Sequence, residues 1–239
     1  MPARSGAGSE AEPGPRCDLC PRLADFLSCQ RLREPAWHNA PVTSFGDVSA
    51  RLLIVGLAPG LSGANRTGRP FTGDHAGLLL YGTLLAHGFA AGSYDARPGD
   101  GLTLRDCMIT NAVRCVPPAN KPTPAEIATC RRFLAGRIAS LPRLTAIVAL
   151  GRIAHDSTVT ALGLKKSAFP FGHGAAHAIR PGLTLFDSYH CSRYNTNTGV
   201  LTPAMFTAVF ASVRAGLDAT SAPPAGRARR LPVRTGGRV

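Results

Sequence analysis

Apolar side chains along this chain fall into four short runs and several stripes at helical spacing. The runs cover residues 51–56 (RLLIVG), 107–113 (CMITNAV), 145–151 (TAIVALG) and 183–189 (LTLFDSY). Two of them are continuous in Val, Ile and Leu, the pattern of strands buried on both faces. Between and after the runs, the spacing predicts helices over 74–87, 124–140, 151–162 and 202–217. The first carries Leu78, Tyr81, Leu84 and Leu85 on one face, and the last carries Met205, Phe206, Val209, Phe210 and Val213. The second opens with Thr123, Pro124 and Glu126, a capping-box spacing with proline in the first turn. Strands alternating with helices predict an α/β fold, a parallel sheet covered on both faces in a three-layer α/β/α sandwich. Ligands in such sheets sit beyond the carboxyl ends of the strands. Segments 56–60, 111–115 and 190–195 are therefore expected to converge on one cleft.

The flanks lack this patterning. Residues 1–16 are rich in Gly, Ala, Pro, Ser and Glu, and residues 218–239 are similar with a basic end, so both are expected to be disordered. Residues 17–217 are expected to form one domain without internal repeats. The longest apolar stretch, 77–92, is interrupted by Tyr81, Thr83 and His87 and is shorter than the ~20 residues of a membrane span. The N-terminus has no apolar core of an export signal. A cytosolic monomer that does not engage membranes is the expectation.

Charge changes the picture. Lys and Arg number 27 against 14 Asp and Glu, a formal net charge of +13, and only Lys121, Lys165 and Lys166 are lysines. Arginine forks bidentately onto phosphate, so a polyanionic partner is favoured through counterion release. The plainer reading is that the enrichment in Arg, Ala, Gly and Pro reflects a GC-rich genome, with the basic tail inflating the total.

Three segments carry candidate chemistry. Gly56–Gly60 is neither a phosphate-binding GK[ST] loop nor a G-x-G-x-x-G turn, but its glycines let backbone approach a ligand closely. Downstream, Arg66 and Arg69 are placed to hold phosphates, and Phe71 looks like an exposed aromatic suited to stack on a flat ring. Asp74 opens the next helix, where the helix dipole favours its ionised form. The bland alternatives are that Asp74 is only a helix cap and Phe71 only a core plug. Asn111 ends the second run and offers the donor and acceptor inventory that reads a nucleobase edge. His190 follows the fourth run among small polar residues, where a functional role is expected.

The seven cysteines are odd in number and accompany no export signal, so a disulfide framework is not expected. Cys17-x2-Cys20 is a chelating pair, and Cys115 and Cys130 are suitably placed as two further ligands. Wide, uneven spacing suits a four-cysteine iron–sulfur cluster better than a zinc ribbon. Scattered free thiols remain the alternative, with Cys29, Cys107 and Cys191 spare and Cys107 acting as a small core residue.

Taken together, Gly56-Leu-Ala-Pro-Gly60, Asn65-Arg-Thr-Gly-Arg-Pro-Phe-Thr-Gly-Asp74, Asn111-Ala-Val-Arg-Cys115 and His190-Cys-Ser-Arg-Tyr-Asn-Thr196 resemble the family 5 (type b) uracil-DNA glycosylases over most of residues 17–216. The resemblance implies a central four-stranded parallel sheet and a [4Fe–4S] cluster on Cys17, Cys20, Cys115 and Cys130. It also implies excision of uracil and other deaminated bases, hypoxanthine and xanthine among them, from DNA as the first step of base excision repair. In this family the first motif lacks the polar activating residue of other uracil glycosylases, and Ala58 stands there. The family's His-Pro-Ser reads His190-Cys191-Ser192 here, a departure expected to relax that loop. No histidine lies in 115–124, which argues against the covalent chemistry of a related group.

On this reading Phe71 stacks on an extruded base, Asn111 reads its edge, His190 donates to the base oxygen and Asp74 orients water or steadies the sugar cation. Backbone near Ala58 and Gly60 assists in base binding. Arg66, Arg69, Ser192, Arg193, Tyr194, Asn195 and Lys121 contact DNA, with Arg193 or Tyr194 as the wedge. The rivals are a non-catalytic DNA-binding iron–sulfur protein, which would not need Asp74 and His190 in one cleft, and an iron–sulfur redox protein.

Overall fold

The structure, a computed structural model, describes residues 11–221. The tail expectation beyond residue 221 lies outside the described residues. In chain order the elements are α1 (Pro21–Arg33), β1 (Phe45–Gly46), β2 (Leu52–Gly56), α2 (Ala64–Thr67), α3 (His75–Ala86), β3 (Ala90–Ala91), β4 (Thr103–Leu104), β5 (Cys107–Asn111), α4 (Pro124–Ala139), β6 (Ala146–Leu150), α5 (Arg152–Ala161), β7 (Ala176–Arg180), β8 (Leu183–Ser188), α6 (Arg193–Asn197) and α7 (Pro203–Ser221).

The main sheet runs β1-β5-β2-β6-β8-β7. Its four central strands are the four apolar runs, mutually parallel. Two antiparallel edge strands, β1 and β7, extend the four-stranded sheet expected from the sequence to six. Alternation sorts the strand residues between two cores. Leu52, Ile54, Ile109 and Val148 face α3 and α7, where Tyr81, Leu84, Phe206 and Phe210 are buried. Leu53, Val55, Met108 and Ile147 face α4 and α5 through Leu134, Ile138 and Val159. These are the three layers of the expected sandwich. Of the four parallel strands the chain lays down β2 first, in the middle, moves outward to β5, then returns across β2 to β6 and β8. That reversal opens a crevice beyond the carboxyl ends.

A third apolar cluster lies beside the sandwich. Leu23 and Leu27 of α1 pack on Val113, Val116, Cys115, Cys130 and Phe133, with Ala58 and Leu61 of the post-β2 loop against it. The capping box at the start of α4 is present, Glu126 Oε2 accepting from Thr123 N at 2.7 Å. The same carboxylate takes a bidentate pair of hydrogen bonds from Arg22 of α1, both at 2.8 Å.

Residues 11–16, placed by composition in a disordered leader, contain an anchor. Glu12 accepts from Arg114 Nη1 at 2.8 Å and from Arg137 Nη2 at 2.6 Å, and it receives Ser44 N at 3.1 Å. The Arg114 side chain is fully buried, so Glu12 supplies the negative charge its burial requires. Glu12→Gln should destabilise the fold by about 3 kcal/mol, the low end for breaking a buried pair because the carboxylate keeps 23% of its exposure. An unchanged midpoint in denaturant unfolding would show that the pairing is dispensable.

Candidate active site

Residues from the three predicted segments meet at one cleft of about 450 Å3. Its lining includes Ala58 and Gly60 after β2, Phe71 and Asp74 before α3, Asn111 at the end of β5, and His190, Ser192 and Arg193 after β8. The parallel register puts Gly56 beside Asn111. A Cβ on Gly56 would run into Asn111 Oδ1 and lie 2.6 Å from the Phe71 ring. Glycine is therefore required there for the asparagine and the aromatic ring to close the floor of the cleft.

Asn111 is 2% exposed, and its Oδ1 has no hydrogen-bond partner among the described residues. Phe71 corrects its expectation: it is 6% exposed and belongs to the core, with only its ring reaching the cleft wall. Its backbone is left-handed at φ 54°, and its carbonyl accepts from Tyr94 Oη at 3.1 Å. His190 stacks on the Phe71 ring with centroids 6.0 Å apart. Burial drives the His190 pKa down to about 4, so its imidazole is neutral at physiological pH.

Asp74 is both a cap and a wall of the cleft. Its Oδ1 accepts from Gly77 N at 3.1 Å, while Oδ2 faces the side-chain-free backbone of Gly60 and Gly63. Burial raises its pKa above the ordinary carboxylate value, opposed by the backbone N–H groups of Gly77 and Ala76.

The loop after β8 is held without the proline that its resemblance would place at Cys191. Asn195 Nδ2 donates to His190 O at 2.8 Å, and Ser192 Oγ accepts from Asn195 N at 3.3 Å to cap α6. Those two side chains fix the turn, so the relaxation expected from the missing proline has a counterweight. Cys191 itself is fully buried.

The remaining candidates divide. Tyr194 is 74% exposed and Arg193 is exposed at the rim. Asn195, expected at DNA, turns its amide inward instead. Arg66 is exposed but outside the cleft, with Nε donating to Ser62 O at 2.9 Å. Lys121 is exposed next to Asn120, which lines the cleft. Arg69 is a correction. It is 8% exposed and forks onto Asp100 at 2.9 and 2.7 Å, below the rings of Phe45, Tyr81 and Tyr94. Its pairing holds the Asp100 carboxyl well below the usual range. The sequence reading also missed His75, whose Nε2 lies 3.1 Å from Thr196 Oγ1 and ties α3 to α6 across the cleft. Its position directly after Asp74 was the available signal.

Cys17, Cys20, Cys115 and Cys130 line one small cavity between α1 and α4. Among the described residues, no three of these sulfurs come within 4.8 Å of one another, wider than one tetrahedral ion gathers its ligands. Arg114 N donates to Cys130 Sγ at 3.3 Å, a contact that favours a thiolate. Burial pushes the Cys115 thiol up to about 12 and the Cys130 thiol up to about 11, and a bound metal would deprotonate both. The donor set fits a polynuclear cluster.

A crevice at the carboxyl ends of a parallel sheet, walled by Asp, Asn, His and Phe, is where an α/β sheet of this class holds its ligand. The family model for the Uracil DNA glycosylase superfamily matches residues 43–214, and the chain belongs to that superfamily. Within it the similarity is to the type-5 branch. The chain is 48% identical over 199 residues to the Type-5 uracil-DNA glycosylase of Thermus thermophilus, covering 81% of this chain and 90% of that protein. It is 39% identical over 214 residues to the Type-5 enzyme of Mycobacterium bovis, covering 84% and 79%. It is 38% identical over 190 residues to that of Pyrobaculum aerophilum, covering 78% and 82%. No helix among the described residues is long and apolar enough to cross a membrane.

Proposed function

We propose that this cleft receives a uracil nucleotide extruded from DNA and hydrolyses the bond between sugar C1′ and the base. The observation that carries the reading is the stranded Asn111 Oδ1 in the wall that Phe71, Asp74 and His190 complete. A buried carbonyl oxygen without a partner costs about 1–3 kcal/mol, so a ligand N–H is its natural complement. Uracil presents N3–H beside the O4 carbonyl, matching the carboxamide in one orientation, whereas cytosine presents an acceptor beside an amino donor. Hypoxanthine and xanthine offer the same N–H and carbonyl pair, so excision extends to them.

Extrusion of the nucleotide costs a few kcal/mol, offset by stacking on Phe71 and by Tyr194 or Arg193 filling the gap. As the glycosidic bond lengthens, negative charge gathers on the base and positive charge on the sugar. Neutral His190 donates a hydrogen bond to the base oxygen, a contribution of roughly 3–4 kcal/mol for a preorganised donor. Ionised Asp74 orients the attacking water or steadies the sugar cation, and backbone around Ala58 and Gly60 seats the base. Among the described residues lining the cleft none is lysine, so the product is an abasic site in an unbroken strand. Ser192, Arg193, Tyr194 and Lys121 meet the DNA backbone at the rim, and Arg66 meets it outside the cleft. The reaction is the first step of base excision repair, carried out by a cytosolic monomer.

Cys17, Cys20, Cys115 and Cys130 would hold a [4Fe–4S] cluster. When bound it cross-links α1, the segment after β5 and α4, and base excision needs none of its electrons. The shared packing of Ala58 and Leu61 on the same apolar cluster links that brace to the cleft.

The test is a set of oligonucleotides carrying uracil, hypoxanthine, xanthine or cytosine, scored for alkali-labile breaks. Breaks at the first three and none at cytosine are expected, and no break at uracil would end the reading. The pH–rate profile should show an acid limb displaced above the ordinary aspartate range, because activity is lost as Asp74 protonates and its pKa is raised. His190, titrating at about 4, should add no limb near 6.5.

A further inference from the structure

Away from the cleft, α5, β7 and β8 bury a charged array that the proposed reaction does not use. Asp187 of β8 and His155 of α5 are both fully buried. His155 Nδ1 lies 2.7 Å from Asp187 Oδ1, and its Nε2 lies 2.7 Å from Phe169 O. His177 Nε2 of β7 lies 3.0 Å from Asp187 Oδ2, which also receives Gly172 N at 3.3 Å. Both nitrogens of His155 thus face oxygens that only accept, an arrangement that favours the doubly protonated ring. Burial by itself would lower the His155 pKa, but the hydrogen bond and charge of Asp187 outweigh it and raise it. The charged and titratable groups around the ring are Asp187 from β8, His177 from β7, and Asp156 and Arg152 on its own helix.

The three residues also have the make-up of a metal site. The distances decide against it: donors about 2.1 Å from one tetrahedral ion would sit about 3.4 Å apart, whereas these are at hydrogen-bond length.

What the array holds is the strap of residues 169–175. Gly174 N donates to Asp187 O, and Asp187 N to Ala175 O, both at 2.9 Å. His173 Nδ1 accepts from Tyr189 N at 3.1 Å, and the His173 ring stacks on Tyr189 at 4.9 Å. Phe171 packs edge-on against His155 at 5.6 Å. Tyr189 is the residue before His190. On the other side Gly151 N donates to Ser188 O at 2.8 Å, and the Gly151 backbone lies against His190 Cβ.

We infer that the His155–Asp187–His177 array is a positioning element for His190: the imidazolium clamps the strap onto the end of β8, and the strap fixes Tyr189 and so the imidazole that meets the base. This rests on the role assigned to His190 in base departure. Asp187, His155 and His177 touch no substrate; they act through the strap.

The experiment uses the full chain with Asp187→Asn, which keeps the shape and removes the charge. Single-turnover excision of uracil, below the variant's melting temperature, should fall roughly ten- to a hundredfold, the scale of a small misplacement of a catalytic group. Affinity for uracil-free DNA should stay within about twofold, and the His190 ring signals in a histidine 1H–15N spectrum should shift. A lowered melting temperature with unchanged rate and unmoved His190 signals would make the array merely structural and overturn the inference. Should the variant fail to fold, the wild-type spectrum at about pH 8 decides. His155 must show two ring N–H groups, and a single one overturns the clamp. If the wild type released no uracil, the function reading would fail, while His155 protonation and the coupling to His190 would still be read by the spectra.

Discussion

Asp74→Asn should lower the single-turnover rate of uracil excision by about 10²- to 10⁴-fold, the range for removing a positioned acid–base group. The same change should raise the melting temperature. The carboxylate is buried with a raised pKa, so its ionised form is disfavoured in the folded chain. Its folded pKa lies above its unfolded value, so stability is full at low pH and declines as pH rises through the folded pKa. At neutral pH the charged group therefore weakens the fold. An asparagine there keeps the oxygen that accepts from Gly77 N, since Asn caps helices about as well as Asp, and drops the charge. Activity and stability should move in opposite directions. Measuring both on one preparation checks the assignment; an unchanged single-turnover rate with an earlier melt would mark Asp74 as a cap alone. Binding of uracil-containing DNA should survive the change.

The second large effect concerns the cysteine brace. Cys130→Ser should abolish the broad visible absorption of a brown preparation and lower the melting temperature by roughly 10 °C. For a chain of this length that corresponds to about 3–4 kcal/mol. The cost follows from geometry: Leu23 and Leu27 of α1 are buried only against the cluster of residues around Cys115 and Cys130. Metal binding energy in such sites is folding energy. Iron content and melting measured together test it, and a colourless wild type loaded with zinc would remove the iron–sulfur assignment. Excision should weaken as well, because Ala58 and Leu61 lean on the same cluster.

The central strands and the helices that cover them were legible because each is a continuous or periodic apolar pattern, and such patterns depend only on near neighbours in sequence. The edge strand β7 was not, since Ala176–Arg180 alternates between half-buried and exposed residues and contains no apolar run. The cleft was legible where a side chain sits at a strand's carboxyl end, as Asn111 does, or just beyond it, as His190 does. Arg69 was misread because its partner Asp100 is 31 residues away, and nothing near it in the chain marks the ion pair. Phe71 was misread because a left-handed backbone turns the ring of a polar loop back into the core. The array around Asp187 joins three elements far apart in sequence. His155, His177 and Asp187 each look unremarkable until the sheet brings them together.

Glu12 has a practical bearing. Anyone trimming the compositionally biased leader for crystals would be tempted to begin at the first cysteine. That cut would strip the shared counter-ion from Arg114 and Arg137 and leave one guanidinium sealed in apolar surroundings beside Cys115 and Cys130. Shortened versions should start before Ala11.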